Sequence, residues 1–403
     1  MIDLFRGQRD FTRFFLAGFI SRAGDGVQSL AILWLSYNLY RSSLVVGLVM
    51  IAVSLPGILV SPYAGSLADR RDRVGIMVAA DLVRMVCALL LALLAWQGVL
   101  GLFPLMLLSA VMSAAAGFFN PASLAFLPQV VEPGQLTRAN GINQMSSNLT
   151  MIAGPLIGMS LIISIGVAMA FVLNGLSFLG SALLIHRIRT RIHPDPEAGK
   201  SYPGSFLTIL RDGFRLLGRY PIAARMLDKA AVINFFFASI PILIPLYAEE
   251  IYHSGARGIG LMMSSFGVGT LLASLLLATS VPARYPVRIT LTGVLLLMGA
   301  AFMGFGLVHS QPVTLGLLLV IGFCVNFANI VLVSLYQRVL PNEVLGRIMA
   351  FMTAISLSLQ PVSYGVTGAL AEFAGLDRLL LFSGLLIMGN ALTILRIREL
   401  RGY

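Results

Sequence analysis

Apolar residues in this chain fall into long unbroken runs separated by short polar stretches, a pattern of membrane-crossing helices rather than of amphipathic stripes on a soluble core. A helix crossing about 30 Å of hydrocarbon at about 1.5 Å per residue needs about 20 mostly apolar residues. Twelve segments meet that requirement: Phe14 to Leu39, Leu44 to Ala64, Val78 to Trp96, Phe103 to Phe119, Asn140 to Ile163, Val167 to Ile185, Ala223 to Tyr247, Gly258 to Thr279, Ile289 to Val308, Thr314 to Leu335, Ile348 to Leu370 and Leu379 to Leu395. The pattern therefore predicts an all-α membrane protein of twelve transmembrane helices. The one long polar stretch, HRIRTRIHPDPEAGKSYPGSFLTILRDGFRLLGRYP, divides it into six-helix halves at 1–186 and 222–403, with a linker over 187–221. Within that linker, Ser205 to Arg219 reads equally as plain connector or as an amphipathic helix on the inner leaflet, with Phe206, Leu210 and Phe214 on one face and Arg211 and Arg215 on another.

The charges between the runs test the number of crossings. With the N-terminus inside, the cytoplasmic side receives Arg6, Arg9 and Arg13, then Arg70, Arg71 and Arg73, then Arg138, the cluster from Arg187 to Arg219, Arg284 and Arg288, Arg338 and Arg347, and finally Arg396, Arg398 and Arg401. Only Arg41, Arg257 and Arg378 fall on the other side. A miscounted span would invert every later loop, so the asymmetry supports twelve spans with both termini cytoplasmic. The halves also echo one another: VVEPGQLTRAN and VLPNEVLGRIM align Val131 with Val339, Pro133 with Pro341 and Leu136 with Val344, a constant offset of 208 residues. Repeated halves around a midplane site are a recurrent transporter plan.

Composition agrees. Of 403 residues, 58% are apolar and 11% charged, and mean hydropathy is +0.89, which argues against a soluble enzyme or a disordered chain. The net charge of +11 would by itself suggest nucleic acid, but the basic residues are dispersed between apolar runs and read as membrane topology; no nucleic-acid partner is expected. Cys87 and Cys324 sit in separate apolar runs, so no disulfide framework or zinc site is expected. His186, His193, His253 and His309 show no metal-ligand spacing, and there is neither a phosphate-cradling Gly-rich loop nor a nucleophilic triad. The expectation is a non-enzymatic protein without cofactor or metal, and without direct use of ATP. The N-terminal run carries no small-residue cleavage site, so the first helix is expected to be retained.

Polar stripes mark the spans that face water or a ligand. The first span carries Ser21, Arg22, Asp25, Gln28, Ser29 and Ser36; the fifth Asn140, Asn143, Gln144, Ser147 and Asn148; the tenth Asn326 and Asn329; the eleventh Ser356, Gln360, Ser363, Tyr364 and Thr367. The third span, with its VCALLLALLAW, and the ninth read as scaffold. Stripes of this kind also serve as interhelical hydrogen-bond glue, but four together favour a cavity. Its expected lining is Gln28, Asn143, Gln144, Asn148, Asn326, Asn329, Gln360 and Tyr364. We read Arg22 and Asp25 as the only ionisable pair well inside a span; at i and i+3 they share a face, and their cost in a bilayer is rarely idle. If the cavity is partly dry, protonation of Asp25 would depend on which way it opens, as proton coupling requires. The alternative is a static ion pair. Asp228 and Lys229 form a weaker pair near the inner end of the seventh span, and Glu249 and Glu250 are expected at a solvated rim.

GSLADRRDRVG between the second and third spans resembles the signature loop of the major facilitator superfamily, with Gly65, Leu67, Asp69, Arg70 and Arg73 in matching positions. The resemblance implies that Gly65 permits close helix packing and that the Asp and Arg residues form a cytoplasmic latch against the start of the eleventh span, where Arg347 lies. Asp72 replaces a usual Gly and Val74 a usual basic residue. On the fifth span AGPLIG resembles the antiporter motif of that superfamily through Gly141, Gly154, Pro155 and Gly158, while Thr150 and Met159 stand where Gly is usual. The usual Arg of the fourth-span motif is missing, so the coupling route of the family's drug antiporters does not carry over, and Asp25 gains weight. SRAGDGVQSLAILWL, FNPASLAFLPQVV, LTRANGINQ and VLGRIMAFM are similar to the branch containing macrolide-efflux proteins and the enterobactin exporter, a pattern that lysophospholipid transporters largely share.

The resemblance implies a major facilitator fold of two pseudo-symmetric bundles in the bacterial inner membrane, and proton-coupled export of a hydrophobic or amphipathic small molecule, a drug or siderophore. Its expected partners are that substrate, protons and the lipid bilayer, and a monomer is expected. A lysophospholipid flippase and a non-transporting membrane sensor or assembly factor are the alternatives.

Overall fold

A computed structural model describes residues 9–188, 206–278, 286–397 and 400. Expectations for Arg6, His193, Arg284, Arg398 and Arg401, and for most of the linker, fall outside the described residues, as do the side chains of Asp69, Phe206 and Leu210. Every expected span is a helix: α1 (Arg9–Tyr40), α2 (Ser43–Arg70), α3 (Arg73–Trp96), α4 (Leu102–Phe126), α5 (Leu136–Ser164) and α6 (Val167–His186). After the amphipathic α7 (Phe206–Leu217) come α8 (Pro221–Leu246), α9 (Gly255–Ala278), α10 (Val287–Leu307), α11 (Gln311–Val339), α12 (Asn342–Ala374) and α13 (Leu376–Ile394). No strand occurs among the described residues.

Eleven described helices have the length and apolar character to cross a membrane. The polar stripe of α1 keeps it off that tally. Most helices run a turn or more beyond the apolar segments, because polar residues outside the hydrocarbon continue a helix at no desolvation cost. α12 shows this best: its 33 residues reach about 50 Å, against about 30 Å of hydrocarbon.

The chain divides into two compact units, Met1–Leu39 with Leu48–Ser205, and Tyr40–Gly47 with Phe206–Tyr403. In the first, α3 packs on α4 and α6; in the second, α10 packs on α11 and α13. The third and sixth spans of each half thus pair alike. One core cluster of the first unit is aromatic and aliphatic, built from Phe11, Phe14, Met77, Phe119 and Phe126. In the second unit Lys229 of α8 is buried, ion-paired with Asp228 and donating to Thr393 Oγ1 of α13 at 2.6 Å, so the pair bridges two helices.

The signature segment is less of a loop than expected. α2 continues to Arg70 and α3 starts at Arg73, so Gly65, Asp69 and Arg70 lie on the last turns of a helix. Arg73 closes two helix ends, donating from Nε to Ala68 O (3.0 Å) and from Nη1 to Ala125 O (2.9 Å), where unpaired carbonyls and the helix dipole favour a cation. Among the described residues, a Cβ on Gly65 would meet nothing within 4 Å. Asp72 caps α3, its carboxylate accepting from Val74 N (3.1 Å) and Gly75 N (3.2 Å). We predict that Asp72→Ala lowers stability by about 1 kcal/mol, measured by thermal unfolding in detergent, and that Asp72→Asn retains most of the cap.

Candidate functional site

The polar centre of the first unit forms where α1, α3 and α6 meet, and the close approach of α1 to α5 sets its frame. Gly26 of α1 faces Gly154 of α5 so closely that a Cβ on Gly154 would lie 2.7 Å from Gly26 Cα. Only hydrogens separate the backbones there. Gly158, one turn on, meets Val27 in the same way, so two glycines of the antiporter-like AGPLIG act as a helix-crossing surface. Pro155 is buried between them, whereas Gly141 has open space on its Cα.

Asp25 immediately precedes this crossing. Its partner is not Arg22, as the i, i+3 spacing suggests, but Arg84 of α3: Nη2 donates to both carboxylate oxygens, at 2.7 and 2.9 Å. The guanidinium also contacts Asp81 on its own helix, Nη1 to Oδ1 at 3.4 Å, and lies over the Phe178 ring with its carbon 4.0 Å from the ring centre. Asp81 is wholly buried, with Ser181 of α6 as a polar neighbour, and Arg84 is 6% exposed, while the Asp25 side chain is 41% exposed. One cation therefore stands between a buried carboxylate and an accessible one. The third span, read as scaffold, supplies two of these three charges. The signal in the sequence is the DLVR segment, an acid and an arginine one turn apart, overshadowed by the apolar run after it.

Arg22 turns the other way. It donates from Nη2 to Ser146 Oγ of α5 (3.0 Å) and lines a cavity of about 230 Å³ with Asn140, Asn143, Gln144 and Ser147, floored by Phe14, Phe119 and Leu127. Asn143 and Gln144 of the expected lining thus come together around a cation, and Asn148 accepts from Gln144 Nε2 at 3.3 Å. Gln28 does not join them. It is buried, accepting from Asn174 Nδ2 of α6 (2.7 Å) and directing its own amide at the Met112 sulfur of α4 (3.4 Å). In this conformation Gln28 is interhelical glue, since its hydrogen bonds are already made within the unit.

In the second unit Asn326 likewise ties helices together: Nδ2 of α11 donates to Thr270 O (2.7 Å) and Ser274 Oγ (2.8 Å) of α9. Asn329 and Gln360 are half-buried and Tyr364 is buried. Arg70 and Arg347 are exposed. Glu249 pairs with Arg41 at 3.2 Å, and Glu250 lines a polar basin of about 460 Å³ with His309, Glu372 and Asp377.

Two units with the same helix pairing, built of membrane-length helices, define a two-bundle membrane architecture. Residues 14–364 match the family model of the Major Facilitator Superfamily, and the chain belongs to that family. Among its relatives, Macrolide efflux protein A of Streptococcus pyogenes is 25% identical over 388 residues, covering 95% of this chain and 94% of that protein. Multidrug efflux pump Tap of Mycobacterium tuberculosis is also 25% identical, over 392 residues, covering 96% and 92%. The fold is shared with the crystal structure of a bacterial homologue of the iron transporter ferroportin in its inward-facing state, at TM-score 0.75, 15% identity and coverage of 96% and 98%. It is shared too with the POT family transporter PepTSo, at TM-score 0.75, 11% identity and coverage of 98% of each chain. The chain is accordingly a multi-pass membrane transporter acting on small molecules, not an enzyme, and its relatives include efflux pumps.

Proposed function

We propose that the protein exports a hydrophobic or amphipathic small molecule from the cytoplasm by proton antiport, alternating between inward- and outward-open states. The observation that carries this reading is the Asp25–Arg84 ion pair, because a partly exposed carboxylate on an intramembrane arginine is a charge that protonation switches off. Two carboxylates facing one guanidinium leave one negative charge in excess, which a bound proton neutralises. A proton arriving at Asp25 from outside would release Arg84 toward Asp81 and reset the cycle. Substrate would enter beside Arg22, Asn143 and Gln144, and Asn329, Gln360 and Tyr364 would offer further hydrogen bonds along its route. Asp69 and Arg347 would act as the cytoplasmic latch. In this reading residues 1–186 and 222–403 are the moving halves of a monomer in the bacterial inner membrane, with both termini cytoplasmic.

The efflux of macrolides and multiple drugs named for the relatives supports a drug-like substrate. Arg22 in the cavity favours a second reading, in which the substrate carries an anionic group, as a siderophore or a lysophospholipid does. Everted vesicles containing the full chain separate the two. Erythromycin or ethidium should accumulate when the lumen is acidified and not in vesicles lacking the protein. Lysophosphatidylethanolamine movement without a proton gradient would transfer the reading to a flippase, and no movement of any of the three would reject transport of these classes.

A further inference from the structure

We propose that α7 recognises the headgroups of anionic phospholipids, through Arg211 and Arg215 with Phe214 as an apolar anchor. α7 ends at Leu217, four positions before α8 begins at Pro221, so it lies beside the mouth of a membrane-crossing helix. One face is already taken. Gly213 and Leu217 are buried, and a Cβ on Gly213 would fall 2.0 Å from the Phe351 ring of α12, so only glycine lets the helix settle this closely. Phe351 is the tenth residue of α12, about 14 Å along a helix that exceeds the hydrocarbon thickness by about 20 Å. α7 is thus held near the boundary between the hydrocarbon and the headgroups.

The opposite flank carries side chains that are exposed among the described residues. Phe214 touches Phe351 edge-on, with ring centres 4.9 Å apart, and yet remains 58% exposed. Arg211 and Arg215 stand one turn apart, both exposed, with Arg219 exposed beyond the helix end. At about 100° per residue Phe214 falls next to Arg211. A ring that water would penalise, bordered by cations, fits the boundary between acyl chains and negatively charged headgroups. The positive-inside tendency accounts for arginines on this side of the membrane, but it does not account for an exposed ring beside them.

The test uses the full chain with Phe214→Trp in a Trp34→Phe/Trp96→Phe background, reconstituted with lipid brominated either on phosphatidylglycerol or on phosphatidylcholine at equal mole fraction. The expected result is about twofold stronger quenching by the brominated phosphatidylglycerol, with the preference removed by Arg211→Gln/Arg215→Gln. Equal quenching by both lipids would overturn headgroup recognition, and no quenching by either would remove α7 from the membrane surface altogether. Should the tryptophan-substituted protein fail to fold, native mass spectrometry of the unmodified chain reads the same preference. Phosphatidylglycerol retained over phosphatidylcholine, and lost in the double variant, sustains the proposal; no preference refutes it.

Discussion

Asp25→Asn is expected to lose proton-driven export by about tenfold or more, since the amide keeps the shape of the side chain but cannot exchange a proton beside Arg84. Counterflow, in which unlabelled substrate on one side exchanges for labelled substrate on the other, should survive because it needs no net proton movement. Arg22→Gln should show the converse. It removes a cation from the cavity of Asn143 and Gln144, so the apparent affinity for erythromycin, whose amine is itself protonated near neutral pH, rises while the pH dependence stays. Erythromycin uptake into everted vesicles across a range of external pH measures both. Undiminished gradient-driven uptake in Asp25→Asn would remove this aspartate from the coupling path.

Arg84→Met should be the most damaging single change to stability. It leaves Asp81 buried without a counter-charge, and removing one member of a buried pair costs about 3–5 kcal/mol. Arg84→Lys should recover part of this, because an ammonium supplies the charge without the planar fork or the broad contact with Phe178. Neutralising the whole trio, as Arg84→Met/Asp25→Asn/Asp81→Asn, should restore much of the thermal stability but not proton-driven transport. The contrast between the two readouts separates packing from function. If Arg84→Met alone melts like the parent protein, Asp81 bears no electrostatic penalty and the trio carries less weight than its geometry implies.

The helices are legible in the sequence because a bilayer imposes one simple rule on every span: a run of about 20 apolar residues must bury its own backbone hydrogen bonds. Boundaries are less so. Nothing in apolar content marks where Asp72 caps α3 or how far α12 runs past the lipid. For the site, the spacing of Arg22 and Asp25 places them on one face, yet α1 is in contact with α3, α5 and α6, and a modest rotation about the helix sends the two side chains to different neighbours. Arg84 wins Asp25 because α3 presents its guanidinium against the Phe178 ring, a contact between residues far apart in sequence. The stripes of α1 and α11 are legible as polar, but periodicity does not distinguish a Gln28 or Asn326 that binds a neighbouring helix from one that waits for substrate. Of the expected lining, only Asn143 and Gln144 are brought together around a cavity in the described structure of the first unit.

The burial of Lys229 bears on how the protein can be handled at the bench. Only two lysines occur in the chain, and this one is 4% exposed and occupied by Asp228 and Thr393. Amine-directed dyes, biotin esters and crosslinkers are therefore shut out of α8, and Lys200, in the stretch of sequence that joins the two halves, is the other lysine.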